Sequence, residues 1–282
     1  LTVVSVVPGG AAEQAGLAVH NADFLNLQAE KQRIDIDLAL ASDVQRMLLP
    51  RAMPRVAGLD IDARYLAAQK VSGDLYDVFA LGQDRVGVAV ADVSGKGMSA
   101  SLLMAICRTT LRQIAPLFDS PALVLSELNR SMAVDMREGM YITMTYAMVD
   151  PLRNQVTIAR AGHELSLFSR RELSTGSFVS EYVGSEGMPV GLVGPELFEL
   201  AIEDKVLEFQ PGTTLVLYTD GLTEAPNEND KEFGGARLAD ALRASHLGSA
   251  REINDFILGA VETFSGATGL RDDYTLLTVK RV

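Results

Sequence analysis

The chain has 282 residues, of which 48% are hydrophobic, and this is enough to bury one large core or two small ones. Its formal net charge of -12 argues against sequence-independent binding of nucleic acid, which requires a basic face. The sequence contains no signal peptide and no membrane-spanning run of about 20 apolar residues. The single Cys107 lies in an apolar helical run, which favours a core position and a cytoplasmic setting. Because residue 1 is leucine, we expect a longer protein whose upstream part could carry an anchor.

Residues 1–50 combine a short strand pattern with a long helix pattern. Residues 1–7 are rich in β-branched side chains and end at a Pro-Gly-Gly turn. Residues 11–49 contain no proline and one glycine, which predicts a helix longer than those of most globular proteins. Residues 1–26 resemble the last strand and C-terminal helix of a GAF sensor domain, and this resemblance implies a truncated sensor tail.

The predicted helix carries an imperfect heptad pattern, because His20, Lys31 and Gln45 interrupt its apolar positions. The apolar a and d positions are Leu17, Phe24, Leu27, Ile34, Leu38, Ala41 and Leu48. The helix either pairs with a second copy and transmits an upstream state, or packs on its own domain. We favour pairing, with residues 27–50 as a signalling linker in a homodimer, because a long helix without good caps is typical of a coiled coil.

Residues 86–97, VGVAVADVSGKG, predict a strand buried on both faces that ends at an acid and a glycine turn. Asp92 is the acid, and a long apolar helix pattern follows over residues 98–114. Glycine allows backbone to come close to a ligand, so a strand-end acid here suits metal or phosphate chemistry. The alternative is a strand-to-helix turn in which the acid only caps the helix.

Three further acids lie at strand ends or turns. Asp74 lies in the turn VSGDLYD, Asp220 follows the apolar run of residues 214–218, and Asp272 precedes the last strand pattern at residues 275–282. Each of them alone is compatible with a structural role in a turn or with a solvated surface. Together with Asp92 they favour a shared site.

The remaining pattern mixes separate runs of strands and helices without a regular βαβ repeat, which predicts an α+β sandwich of largely antiparallel sheets. Ser120 and Pro121 predict the start of a helix that reaches about residue 136. Further helices are predicted at residues 236–245 and 250–264, and strands at 59–67, 78–81, 141–149, 155–160, 165–168 and 198–209. Residues 174–195 are predicted to be irregular.

Four acids without nearby His or Cys form a set of hard oxygen ligands, which suits Mg²⁺ or Mn²⁺ rather than zinc. Carboxylates gathered at one point would repel one another unless cations neutralised them. Two ions sharing such ligands could activate water and clamp a phosphoryl group. The sequence does not show that the four acids converge.

A series of motifs in order, from about residue 45 to residue 282, resembles the bacterial metal-dependent (type-2C-like, PPM) serine/threonine phosphatases of the RsbU and stage II sporulation branch. The motifs are VQRMLLP, VSGDLYD, ADVSGKG, YITM, AGH, GMPVGL, LYTDGLTEA and RDDYTLLTV. The resemblance implies a phosphatase domain at residues 51–282 with a four-layer αββα fold. Two mainly antiparallel sheets would be flanked by helices, with two Mn²⁺ or Mg²⁺ ions at one edge.

The resemblance also implies roles for individual residues. Asp92 would bridge both ions, and the backbone carbonyl of Val93 would complete one site. Asp220 and Asp272 would hold the other ion, and Asp74 would act in the cluster directly or through water. Asp92, Asp220 and Asp272 would thereby serve catalysis, as a bridging hydroxide attacks the phosphorus of a phosphoserine or phosphothreonine.

Other polar residues near these motifs are open to two interpretations each. Asp273 aligns less well with the family's ligand than its neighbour does. Lys96 either contacts phosphate or substrate, or is a solvated turn lysine. His163 either acts as a general acid or, as we favour, holds a turn. Glu164 stands where the family usually has Asn, so this loop could differ.

We therefore expect a metal-dependent protein serine/threonine phosphatase, controlled by its N-terminal helix. The resemblance implies a phosphorylated regulatory partner, a STAS-type anti-anti-sigma factor. The alternative is a catalytically silent phosphatase fold that sequesters a partner, against which the presence of all the expected acids argues. We expect no binding of nucleic acid and no membrane contact within this stretch.

Overall fold

The computed structural model describes residues 11–68, 70–82, 84–134, 136–137, 139–172, 174, 176–268 and 271–282, without the side chains of residues 11–19 and 21–22. The strand predicted at residues 1–7 therefore lies outside the described residues, as does Gln83 in the turn after residue 81. Residues 1–10 of the GAF-like tail predicted at residues 1–26 lie outside them, and residues 11–26 belong to a long helix. No helix in the described part of the chain is both long and apolar enough to cross a membrane.

The helices of the described residues agree closely with the sequence pattern. Two short 3-10 turns, Ala115–Leu117 and Gly266–Thr268, continue two of them. The α-helices are α1 (Ala11–Leu48), α2 (Met98–Ile114), α3 (Pro121–Met132), α4 (Pro195–Ala201), α5 (Asp220–Thr223), α6 (Gly234–Ser245) and α7 (Ala250–Ser265).

Ten strands form two antiparallel sheets of five in the described part of the chain. The first sheet has the order β1-β10-β9-β6-β7, and the second has the order β2-β3-β4-β5-β8. The strands are β1 (Leu59–Leu66), β2 (Leu75–Leu81), β3 (Arg85–Val93), β4 (Ile142–Asp150), β5 (Gln155–Ala161), β6 (Ser166–Arg171), β7 (Phe178–Val183), β8 (Lys205–Glu208), β9 (Thr214–Tyr218) and β10 (Tyr274–Arg281).

Three apolar cores separate four layers, which confirms the αββα sandwich. In β3, Val88 and Val90 point into the core between the sheets, while Ala89 and Ala91 point to the core beneath α2 and α3. This alternation follows from the two-residue period of a strand and explains why β3 is apolar throughout. The third core lies between the first sheet and helices α6 and α7.

The structure corrects three predictions about residues 165–209, namely one strand at 198–209, an irregular segment at 174–195, and residues 165–168 as a continuation of the sheet formed by 141–149 and 155–160. Residues 198–209 are not one strand, because Pro195 occupies the first turn of α4 and Glu196 lies in the same turn, both of which favour a helix start. Only β8 follows it as a strand. The segment predicted to be irregular contains β7, and β6 joins the first sheet rather than continuing the sheet of β4 and β5.

Helix α1 confirms the long predicted helix, and one of its faces packs on its own domain. Gln45 is buried, and Leu38 and Ala41 are half-buried. By contrast, the more distant Leu27 and Ile34 are 65% and 52% exposed. The last part of the heptad pattern therefore faces the domain, and only its earlier part is free to pair.

Candidate active site

Asp92 is the second-to-last residue of β3, close to the glycine turn that leads into α2. Gly73 packs against this strand end so closely that a Cβ atom there would lie 2.9 Å from the Val93 carbonyl oxygen and 3.2 Å from Asp92 Oδ1. Only glycine fits at that distance. The backbone oxygen of Val93 and the carboxylate of Asp92 thus face the same narrow space.

Asp220 and Asp272 approach this edge from the first sheet. Asp220 begins α5 two residues after the end of β9, and Asp272 lies two residues before the start of β10, the neighbour of β9. Gly221 makes the approach possible, since a Cβ atom there would lie 1.9 Å from the Asp273 carbonyl oxygen. Antiparallel pairing therefore brings together acids that are far apart in the sequence.

The electrostatics of the acids show their proximity. Burial raises the pKa of Asp92 to about 7, and the negative charges of Asp220 and Asp272 add to this effect. Burial and the charge of Asp272 likewise raise the pKa of Asp220. Three carboxylates at one edge would each lose their proton more readily if a cation neutralised them.

Asp74 is almost fully buried and connects the two sheets. Its Oδ2 accepts hydrogen bonds from the hydroxyls of Thr219 (2.7 Å) and Thr275 (2.8 Å), which belong to the opposite sheet. Burial and the charge of Asp92 raise the pKa of Asp74 to about 8, against the lowering effect of both hydroxyls. The sequence alone assigns no role to the two threonines, although each lies within one of its motifs, LYTDGLTEA and RDDYTLLTV.

Lys96 points at the acids. Its ammonium group lies 2.8 Å from Asp272 Oδ2, and both side chains are substantially exposed. This hydrogen bond raises the pKa of Lys96. Asp273, in contrast, accepts a hydrogen bond from the backbone amide of Ala68 (2.7 Å), which braces the loop after β1.

A cavity of about 140 Å³ opens beside Asp92 and Asp220. Its lining also includes Tyr141, Thr143, His163 and Glu164. His163 is buried within the wall, whereas the side chain of Glu164 is exposed. Partial desolvation by the surrounding protein and the charge of Asp220 raise the pKa of Glu164. The cavity is large enough for a phosphoryl group and lies next to the acids.

The donor set fits hard divalent cations. It consists of carboxylates and a backbone carbonyl, which are the ligands that Mg²⁺ and Mn²⁺ prefer. Among the described residues, no three His, Cys, Asp or Glu side chains are gathered as tightly as around a bound ion. The cradle formed where Gly73 packs on the end of β3 brings the Val93 carbonyl oxygen and the Asp92 carboxylate to one narrow space, where both would serve as ligands if an ion bound.

Comparison with known proteins agrees with the fold. The PP2C domain of SiaA from Pseudomonas aeruginosa superposes with a TM-score of 0.76 at 23% identity, covering 89% of this chain and 98% of that domain. The two-sheet sandwich thus has the fold of a type-2C-like protein phosphatase domain. Residues 82–282 match the stage II sporulation protein E (SpoIIE) family, and the chain belongs to this family.

Sequence comparison finds a phosphatase among the relatives of this chain. The phosphoserine phosphatase RsbU of Bacillus subtilis is 29% identical over 258 residues, which cover 90% of this chain and 73% of RsbU. The RsbU and RsbW domains of a Mycobacterium tuberculosis protein superpose with a TM-score of 0.67 at 29% identity. That match covers 81% of this chain and 61% of the other. The protein is therefore a protein serine/threonine phosphatase, as the sequence predicted.

Proposed function

We propose that this chain dephosphorylates phosphoserine or phosphothreonine in a regulatory protein, with two Mn²⁺ or Mg²⁺ ions held by Asp92, Asp220, Asp272 and the Val93 carbonyl. The observation that carries the proposal is the convergence of Asp92, Asp220 and Asp272 at one edge, with the elevated pKa of Asp92 as its electrostatic sign. When bound, the ions would supply an activated water and neutralise charge on the phosphoryl oxygens.

The chain's own residues would bind and orient the substrate. The exposed ammonium group of Lys96 is within reach of any phosphoryl group bound near Asp272. The cavity wall at Thr143 and His163 would shield one side of the reacting group from water. Asp74 would hold the two sheets at the correct distance through Thr219 and Thr275, or contact an ion through water.

The partner that we propose is a phosphorylated STAS-type anti-anti-sigma factor in the cytoplasm. Support comes from the similarity to RsbU and to the RsbU and RsbW domains of the Mycobacterium protein. The acidic chain would then act on a protein substrate rather than on nucleic acid.

Control by α1 is supported by a direct contact with the site. Gln45 of α1 forms two hydrogen bonds with the backbone of Ser72, two residues before Asp74. The exposed Phe24, Leu27 and Ile34 on the earlier part of α1 suit pairing with a second copy. A change in pairing would therefore be transmitted to the loop of Asp74.

The deciding experiment compares the wild type with Asp92→Asn on a phosphoserine protein in the presence of Mn²⁺. We expect a loss of at least about a thousandfold in Asp92→Asn, with the fold intact by circular dichroism. The exposed Asp84→Asn is the matched control and should remain active. Equal rates in the wild type and Asp92→Asn would refute the proposal, and absence of both turnover and Mn²⁺ binding in the wild type would favour a silent binding module.

A further inference from the structure

His163 lies in the short connection between β5 and β6, with both ring nitrogens in hydrogen bonds. Nε2 lies 3.0 Å from the backbone carbonyl oxygen of Tyr218, and Nδ1 lies 2.9 Å from Thr143 Oγ1. A carbonyl oxygen can only accept, so Nε2 carries the proton. Burial lowers the pKa of His163 to about 4, so the ring is neutral near pH 7 and Nδ1 accepts from the Thr143 hydroxyl.

The two partners of the ring belong to different sheets and adjoin different acids. Thr143 is directly opposite Asp92 in the pairing of β3 and β4. Tyr218 ends β9, two residues before Asp220. The imidazole therefore spans from the strand that neighbours Asp92 to the strand that delivers Asp220.

The ring is held in place by its own turn. Gly162 has a φ of 66° and packs on Pro189 so closely that a Cβ atom there would lie 2.5 Å from the proline ring. The guanidinium of Arg160 donates to the His163 carbonyl oxygen (2.7 Å) and to the Ser185 carbonyl oxygen (2.9 Å). The contacts of Gly162 and Arg160 hold the backbone at His163, and the two hydrogen bonds hold its ring. The imidazole therefore keeps a fixed position between the two sheets.

The same contacts exclude proton donation to a leaving group. The only ring proton of neutral His163 is directed to the Tyr218 carbonyl, and the other nitrogen is occupied by Thr143. No ring atom is left to serve a substrate in the cavity, although the ring contributes to its wall.

We propose that His163 is a positioning residue that fixes the separation of Asp92 and Asp220 by joining Thr143 of the second sheet to Tyr218 of the first. The inference rests on the proposed phosphatase function, because the separation matters only if both acids hold ions. It assigns the histidine of the AGH motif to geometry rather than to proton transfer. Loss of the ring should let the end of β9 move relative to β3.

The test uses the full chain with His163→Gln, Thr143→Val and Thr143→Ser, and with the exposed His20→Gln as a matched control. Four quantities are measured: kcat and KM on a phosphoserine protein, Mn²⁺ affinity by calorimetry, the pH profile of kcat, and amide hydrogen exchange of residues 214–224. Thr143→Ser keeps the hydroxyl and serves as the conservative rescue.

We expect His163→Gln and Thr143→Val to lower kcat by about 100-fold, since a displacement of about 1 Å has this effect on a reacting geometry. KM should change little, Mn²⁺ binding should weaken, and residues 214–224 should exchange faster. The pH profile should keep its shape, because His163 does not transfer a proton. Thr143→Ser should recover most of the loss, and His20→Gln should match the wild type.

Two results would overturn the inference. A limb of the pH profile that disappears in His163→Gln would make the histidine a general acid or base. Unchanged hydrogen exchange and Mn²⁺ affinity in both His163→Gln and Thr143→Val would show that the ring does not set the geometry. Hydrogen exchange needs no turnover, so the inference is tested even if the wild type proves inactive, an outcome that would refute only the proposed function.

Discussion

The side-chain amide of Gln45 and the backbone of Ser72 are joined by two hydrogen bonds. Gln45 Nε2 donates to the Ser72 carbonyl oxygen (2.6 Å), and the Ser72 amide donates to Gln45 Oε1 (3.1 Å). Ser72 Oγ in turn accepts from the Asp74 amide (3.0 Å). Helix α1 thus contacts the loop that carries Asp74 through the buried side chain of Gln45. Its two hydrogen bonds are of the kind that the backbone of a neighbouring strand would form.

The first prediction concerns this contact. Gln45→Ala leaves a buried amide and a buried carbonyl of Ser72 without their partner, which costs about 1–3 kcal/mol. We expect a lower free energy of unfolding in urea and weaker Mn²⁺ binding by calorimetry. Gln28→Ala, on an exposed part of the same helix, should change neither. If Gln45→Ala bound Mn²⁺ as tightly as the wild type, α1 would have no influence on the site through this contact.

The second prediction concerns the cradle at Gly73. Gly73→Ala places a Cβ atom 2.9 Å from the Val93 carbonyl oxygen, so the strand end must move away. We expect a loss of Mn²⁺ affinity and of phosphatase activity of at least tenfold. Gly259→Ala is the control, because it lies within α7 with nothing near the new methyl group and should stabilise the fold by about 0.5–1 kcal/mol. Full activity in Gly73→Ala would contradict the proposed role of Val93.

The third prediction is a pH dependence of stability without divalent cations. The pKa values of Asp74 and Asp92 rise to about 8 and about 7 on folding, from an ordinary value of 3.8. The folded state then binds more protons than the unfolded state, so the free energy of unfolding should fall as the pH increases from about 4 to 8. His163, whose pKa falls to about 4, opposes this trend between pH 4 and 6.5.

Urea unfolding in a chelator at several pH values measures this dependence. Asp92→Asn should remove part of the slope, while Asp84→Asn, at an exposed position, should keep it. Saturating Mn²⁺ should flatten the slope in the wild type, because the ions stabilise the deprotonated acids. A wild-type slope of the opposite sign without metal would mean that folding does not raise the pKa values of Asp74 and Asp92.

The fourth prediction concerns Lys96, whose ammonium group would compete with a divalent cation for Asp272 under the proposed function. Because this ion pair is exposed and screened, its loss should change affinity only modestly. Lys96→Met should raise Mn²⁺ affinity by up to about fivefold at low salt, and high salt should abolish the difference. Lys231→Met, at an exposed position, should have no such effect. Weaker Mn²⁺ binding in Lys96→Met would disprove the competition.

The fifth prediction concerns pairing through α1. Ile34→Glu introduces a charge on the exposed part of the heptad pattern and should lower the mass measured by sedimentation equilibrium to that of a monomer. Gln32→Glu, a polar exchange at an exposed position, should leave the mass unchanged. A wild type that is monomeric at high concentration would rule out the homodimer.

Elements with a strong period were predictable from the sequence. Helix α2 begins and ends at the predicted residues, and Ser120 caps α3 by accepting from the Leu123 amide (3.1 Å). Both depend on local chemistry. The strand β7 escaped prediction because its residues are mostly half-exposed and follow a Gly- and Ser-rich segment, so that the partner β6 decides its structure.

The acids could be named from the sequence, but not their surroundings. Asp74 accepts hydrogen bonds from Thr219 and Thr275, which lie 145 and 201 residues further along the chain. No local sequence pattern carries information over such a distance. In the sequence, Gln45 interrupts the heptad pattern and belongs to the VQRMLLP motif, but neither fact predicts its contact with Ser72. The structure explains why a polar residue lies there. The side-chain amide of Gln45 forms hydrogen bonds with the backbone amide and carbonyl of Ser72, which no strand pairs.

The position of β10 has a consequence for biosynthesis. This last strand lies between β1 and β9, and its Thr275 holds Asp74 across the sandwich. While the ribosome is still adding β10, β1 lacks its strand partner, and the Asp74 carboxylate lacks one of the two hydroxyl groups that donate to it. A nascent chain therefore cannot bring Asp92, Asp220 and Asp272 together before β10 has been made. A truncated messenger RNA that lacks this strand would yield an inactive product rather than an unregulated phosphatase.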